Sequence, residues 1–154
     1  MEEQEYKATY RAINQRRCVF EKAINSRRCA CEHSDRFCLA DREGVGCQSA
    51  EGNALCRGLL ATMRRNSRFA LQLTRAEGPL PHNKEIRVQT GGLLGLQELL
   101  LPELGGQETV NNIHGLLRQA LGVYRQIDAL PYERIVQAIV AFQGRRKRVR
   151  NTDS

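Results

Sequence analysis

Hydrophobic residues recur along most of this chain with the three-and-four spacing of amphipathic helices. Tyr6, Tyr10, Ile13, Phe20 and Ile24 fall on one face, which predicts a first helix from Gln4 to about Asn25. Asn25-Ser26 offers a break or a new N-cap, and Arg28 to Asp41 reads as a second helix. The glycines of Glu43-Gly44-Val45-Gly46-Cys47 predict a turn. Ser49 or Asn53 is placed to cap a third helix running to about Leu73, with Cys56, Leu59, Leu60 and Met63 on its apolar face. Gly78-Pro79-Leu80-Pro81 ends that helix and is the candidate hinge, because closely spaced prolines cannot continue it.

Beyond the hinge, Ile86, Val88 and Thr90 alternate as in a short strand. After Gly91-Gly92, Leu93 to Leu101 reads as a buried helix, and Gly105-Gly106 as a loop. An amphipathic helix is expected from about Thr109 to Ala129, with Val110, Ile113, Leu116, Leu117, Leu121 and Tyr124 on its apolar side. Pro131 opens a last helix to about Phe142, carrying Ile135 and Ile139. The expected fold is mainly α: a small helical domain whose N-terminal cysteine-rich helices and turns pack on a C-terminal helical bundle. The divisions are residues 1–77, cysteine-rich; 82–143, helical; and 144–154, a basic tail, all within one compact domain.

Composition sharpens this picture. The hydrophobic fraction of 41% supports a packed core, whereas only 5% aromatics and no Trp argue against a β-sandwich. The longest apolar runs, such as Leu93–Leu101, fall far short of the ~20 residues a membrane helix needs. The acidic start Met1-Glu2-Glu3-Gln4-Glu5 has no signal-peptide pattern. A cytoplasmic location is therefore expected, where structural disulfides are rare. The net charge of +7 owes much to Arg145-Arg146-Lys147-Arg148-Val149-Arg150. Such a tail is a solvated end, or a contact for nucleic acid, anionic lipid or an acidic protein.

The cysteines carry the strongest chemical signal. All six, Cys18, Cys29, Cys31, Cys38, Cys47 and Cys56, lie in the N-terminal part, and none follows. Cysteines used only for packing would be scattered through the whole core. Three readings compete: a thiolate metal or cluster site, a reversible disulfide switch, and plain core packing. On the predicted first helix Cys18 stands off the apolar stripe, which favours a partner. Cys56 lies on an apolar face, where packing and ligation both fit. Cys29-Ala30-Cys31 would point to opposite sides of a continuous helix, so both could serve one site only on irregular chain.

Zinc sites usually show paired knuckles of the Cys-x2-Cys kind, and this chain has none. Long, uneven gaps suit a [4Fe–4S] cluster, with zinc second. All six thiols are candidate metal ligands. The expected cluster ligands are Cys18, Cys31, Cys47 and Cys56, one from each of four segments, leaving Cys29 and Cys38 spare. Arg16-Arg17, Arg27-Arg28 and Arg64-Arg65 surround the region and would offset cluster charge, or simply face solvent. His33 lies close to Cys31, but His33, His82 and His114 read as ordinary histidines rather than ligands. The WhiB-like regulators are small cluster proteins that this chain resembles in having a basic end. They carry a Cys-x2-Cys pair and a tryptophan-bearing turn that it lacks, so no function is carried over.

The leading functional expectation is an iron–sulfur protein in electron transfer, or an accessory subunit of a redox complex, with a protein partner. The second is a zinc- or cluster-containing regulator that contacts nucleic acid through the basic tail. The third is a metal-free helical interaction protein. No His-Glu-x2-His, Gly-x-Ser-x-Gly or phosphate-loop pattern is present, and no catalytic role is expected.

Overall fold

A computed structural model describes residues 2–72 and 80–142. Its elements in order are α1 (Glu3–Ile13), α2 (Glu21–Asn25), β1 (Ser34–Leu39), β2 (Arg42–Cys47), α3 (Ala50–Asn66), α4 (His82–Ile86), a π-helical turn (Arg87–Gly91), α5 (Gly92–Leu100), α6 (Ile113–Tyr124) and α7 (Tyr132–Ala141). The protein is mainly α, and no helix among the described residues is long and apolar enough to cross a membrane. Gly78 and Pro79 of the expected hinge, and the basic tail from residue 144, lie outside the described residues.

The N-terminal third departs most from the sequence reading. The first helix stops at Ile13, and an irregular segment leads to the single turn of α2. Where a second helix and a glycine turn were expected, an antiparallel hairpin pairs Ser34 with Cys47 through to Leu39 with Arg42. Its two-residue turn is Ala40-Asp41, both in the left-handed region at φ 51° and 65°, as tight hairpins require. The Phe37 ring covers Gly44, directly opposite it, where any Cβ would collide with the ring. Phe37 also stacks 5.6 Å from Tyr10, tying the hairpin to α1. The cysteine-rich part thus holds the helices α1, α2 and α3 with a hairpin and irregular segments between them, rather than helices and turns alone.

α3 starts where Ser49 accepts a hydrogen bond from the Gly52 amide at 2.9 Å. It ends at Asn66, earlier than expected, with Arg64 and Arg65 in the last turn, where positive charge meets the negative end of the helix dipole. The Ile86–Thr90 stretch is helical: α4 passes through the π-helical turn into α5, with no strand. Val88, Gln89 and Thr90 are buried in succession there, so burial does not follow the alternation. Gly91, Gly92 and Gly95 let this run approach closely, since a Cβ at Gly91 would stand 3.0 Å from the Ile139 Cα of α7. α6 is shorter than predicted at both ends, and Val110, expected on it, instead bridges to Cys29.

A single buried cluster joins the two halves, running from Phe20 and Ile24 through Leu59 and Met63 to Leu93, Leu117, Ile135 and Ile139. Two buried carboxylates brace it. Glu85 of α4 accepts from the Arg64 guanidinium of α3 and from Gln89 Nε2 at 3.2 Å, and Gln89 in turn accepts from the Ala23 amide. Glu21 of α2 accepts from the Val45 amide at 2.7 Å, from the Tyr10 hydroxyl and from the Arg17 guanidinium. These pairings satisfy the charges that burial would otherwise penalise.

Candidate thiolate site

Four cysteines, from four separate stretches of chain, line one pocket: Cys18, Cys31, Cys47 and Cys56. Cys18 sits on the irregular segment between α1 and α2. Its amide donates to the Val45 carbonyl at 2.9 Å, and the Cys47 amide donates to the Arg16 carbonyl at 2.8 Å, so residues 16–18 run as a short edge beside β2. Asn14 seals that edge by donating to the Val45 carbonyl, and Asn53 of α3 donates to the Arg17 carbonyl. Gly46 is needed beneath it, because a Cβ there would come within 2.9 Å of Asn14 Oδ1. Cys47 ends β2, with its thiol 3.3 Å from the Ser49 carbonyl.

Cys31 lies on the extended approach to the hairpin. This stretch is clamped to the segment before α6: Ala30 donates to the Val110 carbonyl, and Val110 donates to that of Arg28. The Cys31 carbonyl accepts from both the amide and the hydroxyl of Ser34, which turns the chain into β1. Cys56 projects from α3. The remaining wall includes Phe20 and Ile113 with His33 and His114. The space among these groups is about 360 Å³ and is partly open to solvent.

Cys29 and Cys38 stand elsewhere. Cys29 is buried in the bridge to Val110, and Cys38 is exposed on β1 opposite Glu43. All six cysteines are free thiols. Among the described residues no three cysteine sulfurs lie within 4.8 Å of one another. A single tetrahedral zinc, with Zn–S near 2.3 Å, needs its thiolates about 3.8 Å apart. As they stand, the thiols do not form that tight set.

Burial pushes the Cys18 and Cys56 thiols up to about 12, and the other pocket cysteines add to the shift because each thiolate would repel the next. For Cys18 the Phe20 amide acts in the opposite sense, favouring the anion. Thiols held neutral in this way are poor nucleophiles, which disfavours a fast disulfide switch, whereas a coordinated metal deprotonates its thiols outright. Arg17, Lys22, Arg57 and Arg64 line an adjoining groove that shares Cys18 and Val19 with the pocket; Glu21 and Glu85 line it too and pair with Arg17 and Arg64, leaving Lys22 and Arg57 as its net positive charge. The off-stripe argument for Cys18 does not survive, since Cys18 is on no helix; what brings it to the site is the pairing with β2. His33 and His114, read from the sequence as ordinary histidines, meet at this pocket across about 80 residues, a contact that leaves no local signal. Compared with protein-family models, curated proteins and solved structures, the chain matches none.

Proposed function

We propose that this protein binds an iron–sulfur cluster, of the [4Fe–4S] type, through Cys18, Cys31, Cys47 and Cys56. The observation that carries the reading is the convergence of these four thiols, from four chain segments, on one apolar pocket. A cube offers four iron corners pointing apart, which suits ligands spread over a coil, a loop, a strand end and a helix. No three of the sulfurs lie within 4.8 Å of one another among the described residues, which favours a cluster over a single tetrahedral zinc. A [4Fe–4S]2+ core with four thiolates carries two negative charges, and the neighbouring Lys22 and Arg57 would offset them, since Arg17 and Arg64 in the same groove are already paired with Glu21 and Glu85.

The role in this reading is electron transfer, or that of an accessory subunit of a redox complex working with a protein partner. The basic groove beside Cys18 supports it, because it lies close to the pocket and suits an acidic partner surface. The test is to isolate the full chain without oxygen and measure iron, sulfide and zinc per chain together with the visible spectrum. About four irons and four sulfides with broad absorption near 400 nm support the proposal. Zinc held by sulfur with no iron or sulfide would replace it with a structural metal site, and a folded, metal-free chain would leave an interaction protein.

A further inference from the structure

At the rim of the thiol pocket, two rings and a carboxylate converge from distant parts of the chain. Glu32 and His33 lie on the approach to β1, and His114 lies in the first turn of α6. The His33 and His114 rings meet edge to face with centroids 4.4 Å apart. Glu32 Oε1 stands 3.7 Å from His33 Nε2 and 3.9 Å from His114 Nε2, too far for hydrogen bonds. Among the described residues this is the one group of three potential ligands whose donor atoms all lie within 4.8 Å of one another.

We propose that Glu32, His33 and His114 form a second site, for a borderline divalent transition ion such as Zn²⁺, distinct from the cysteines. The geometry supports it directly. Donors 2.0–2.2 Å from one tetrahedral ion stand about 3.3–3.6 Å apart, and the 3.7 and 3.9 Å separations here lie only a few tenths of an ångström beyond that. Only small side-chain rotations are needed to close on an ion. Two imidazoles and one carboxylate suit zinc and its neighbours, rather than calcium or magnesium, which prefer all-oxygen shells. They leave a fourth position for water.

The backbone holds the donors in place. The Glu32 amide donates to Asn112 Oδ1 at 3.1 Å, the Ile113 amide to the Ala30 carbonyl, and the Gln48 amide to the His33 carbonyl. Gly52 supplies an independent sign. A Cβ there would press on His114 Nδ1 at 3.1 Å, so the first turn of α3 leaves room for this ring, with its Nε2 on the Glu32 side. His33 and His114 also line the thiol pocket, so a bound dication would lie beside the thiolates and offset their charge. The site does not depend on whether iron and sulfide occupy the cysteines.

The test uses Zn²⁺ added to the anaerobically isolated full chain, followed by exhaustive dialysis, zinc counting and zinc K-edge X-ray absorption. Wild type should retain about one zinc with a nitrogen and oxygen shell at ~2.0–2.2 Å and no sulfur. His33→Gln and His114→Gln should each weaken retention by roughly tenfold or more. Glu32→Gln, at an exposed position, should also weaken it and guards against a folding defect in the histidine variants. No retained zinc, equal retention by wild type and all three variants, or a sulfur shell near 2.3 Å that the three variants leave unchanged would overturn the proposal. Iron and sulfide counts on the same samples report separately on the cluster, so failure of either site is distinguishable.

Discussion

Glu21 is the point at which the fold and the thiol pocket meet, and its removal is a demanding test. The carboxylate is 8% exposed and holds the Val45 amide, the Tyr10 hydroxyl and the Arg17 guanidinium together. Val45 is fully buried, so in Glu21→Ala its amide would lose its partner where water cannot replace it, at about 1–3 kcal/mol. Losing the acceptor of the half-buried Tyr10 hydroxyl, a hydrogen bond to a charged group, adds about 1.5–3 kcal/mol. The Arg17 ion pair adds little, because that side chain is 60% exposed. The expected total is about 3–5 kcal/mol, the usual loss when one partner of a buried charged set is removed. Glu21→Gln keeps an oxygen for Val45 and should cost clearly less. Urea unfolding of the metal-free chain at neutral pH, with matching m-values, measures both. The Val45 carbonyl positions Cys18, so the alanine variant should also retain less iron after anaerobic isolation. A cost under about 1 kcal/mol, or a glutamine variant as unstable as the alanine one, would refute the reasoning.

Gly91→Ala should destabilise by about 1–3 kcal/mol in thermal unfolding, because its Cβ meets the α7 backbone; Gly122→Ala, facing open space, should instead stabilise by about 0.5–1 kcal/mol. Burial raises the Cys29 thiol from 9.0 to about 12. The folded state therefore binds the proton more tightly, and its contribution to stability is complete below pH 9 and lost as pH rises towards 12. In urea titrations at stepped pH, the metal-free wild type should lose about 1.4 kcal/mol per pH unit more than Cys29→Ala over that window. Mass spectrometry after iodoacetamide treatment of the folded protein should find Cys38 alkylated first and Cys29 last; the reverse order would contradict their placement.

The helices that rest on strong periodicity were legible: Ser49 marks the start of α3, Leu93 lies in α5, and Ile135 and Ile139 lie in α7. The hairpin was not, because its turn is Ala40-Asp41 rather than the Asn-Gly or Asp-Gly pair that signals such a turn, and positive φ at alanine has no sequence mark. Continuation past Ile13 was over-read because Phe20 and Ile24 do face the core, from a separate turn of helix that happens to keep the phase. The strand expected over Ile86–Thr90 failed for a different reason: a π-helical turn shifts which residues face inward, so neither a period of two nor 3.6 describes it. At the pocket, the rule of one cysteine from each of four segments picked the four that line it, although three of those segments, those of Cys18, Cys31 and Cys47, were assigned the wrong structure. His33 with His114 depends wholly on a tertiary contact between distant residues, and nothing near either one announces it.

The most direct test of the cluster proposal is to replace each cysteine by serine in turn and measure iron and sulfide per folded chain after anaerobic isolation. Cys18→Ser, Cys31→Ser, Cys47→Ser and Cys56→Ser should each lose most of the iron and sulfide and the absorption near 400 nm, while Cys29→Ser and Cys38→Ser keep both. Full iron and sulfide in any of the four pocket variants that folds, or loss confined to Cys29 or Cys38, would contradict the assignment. A wild-type chain that folds with neither iron nor sulfide would contradict the cluster itself.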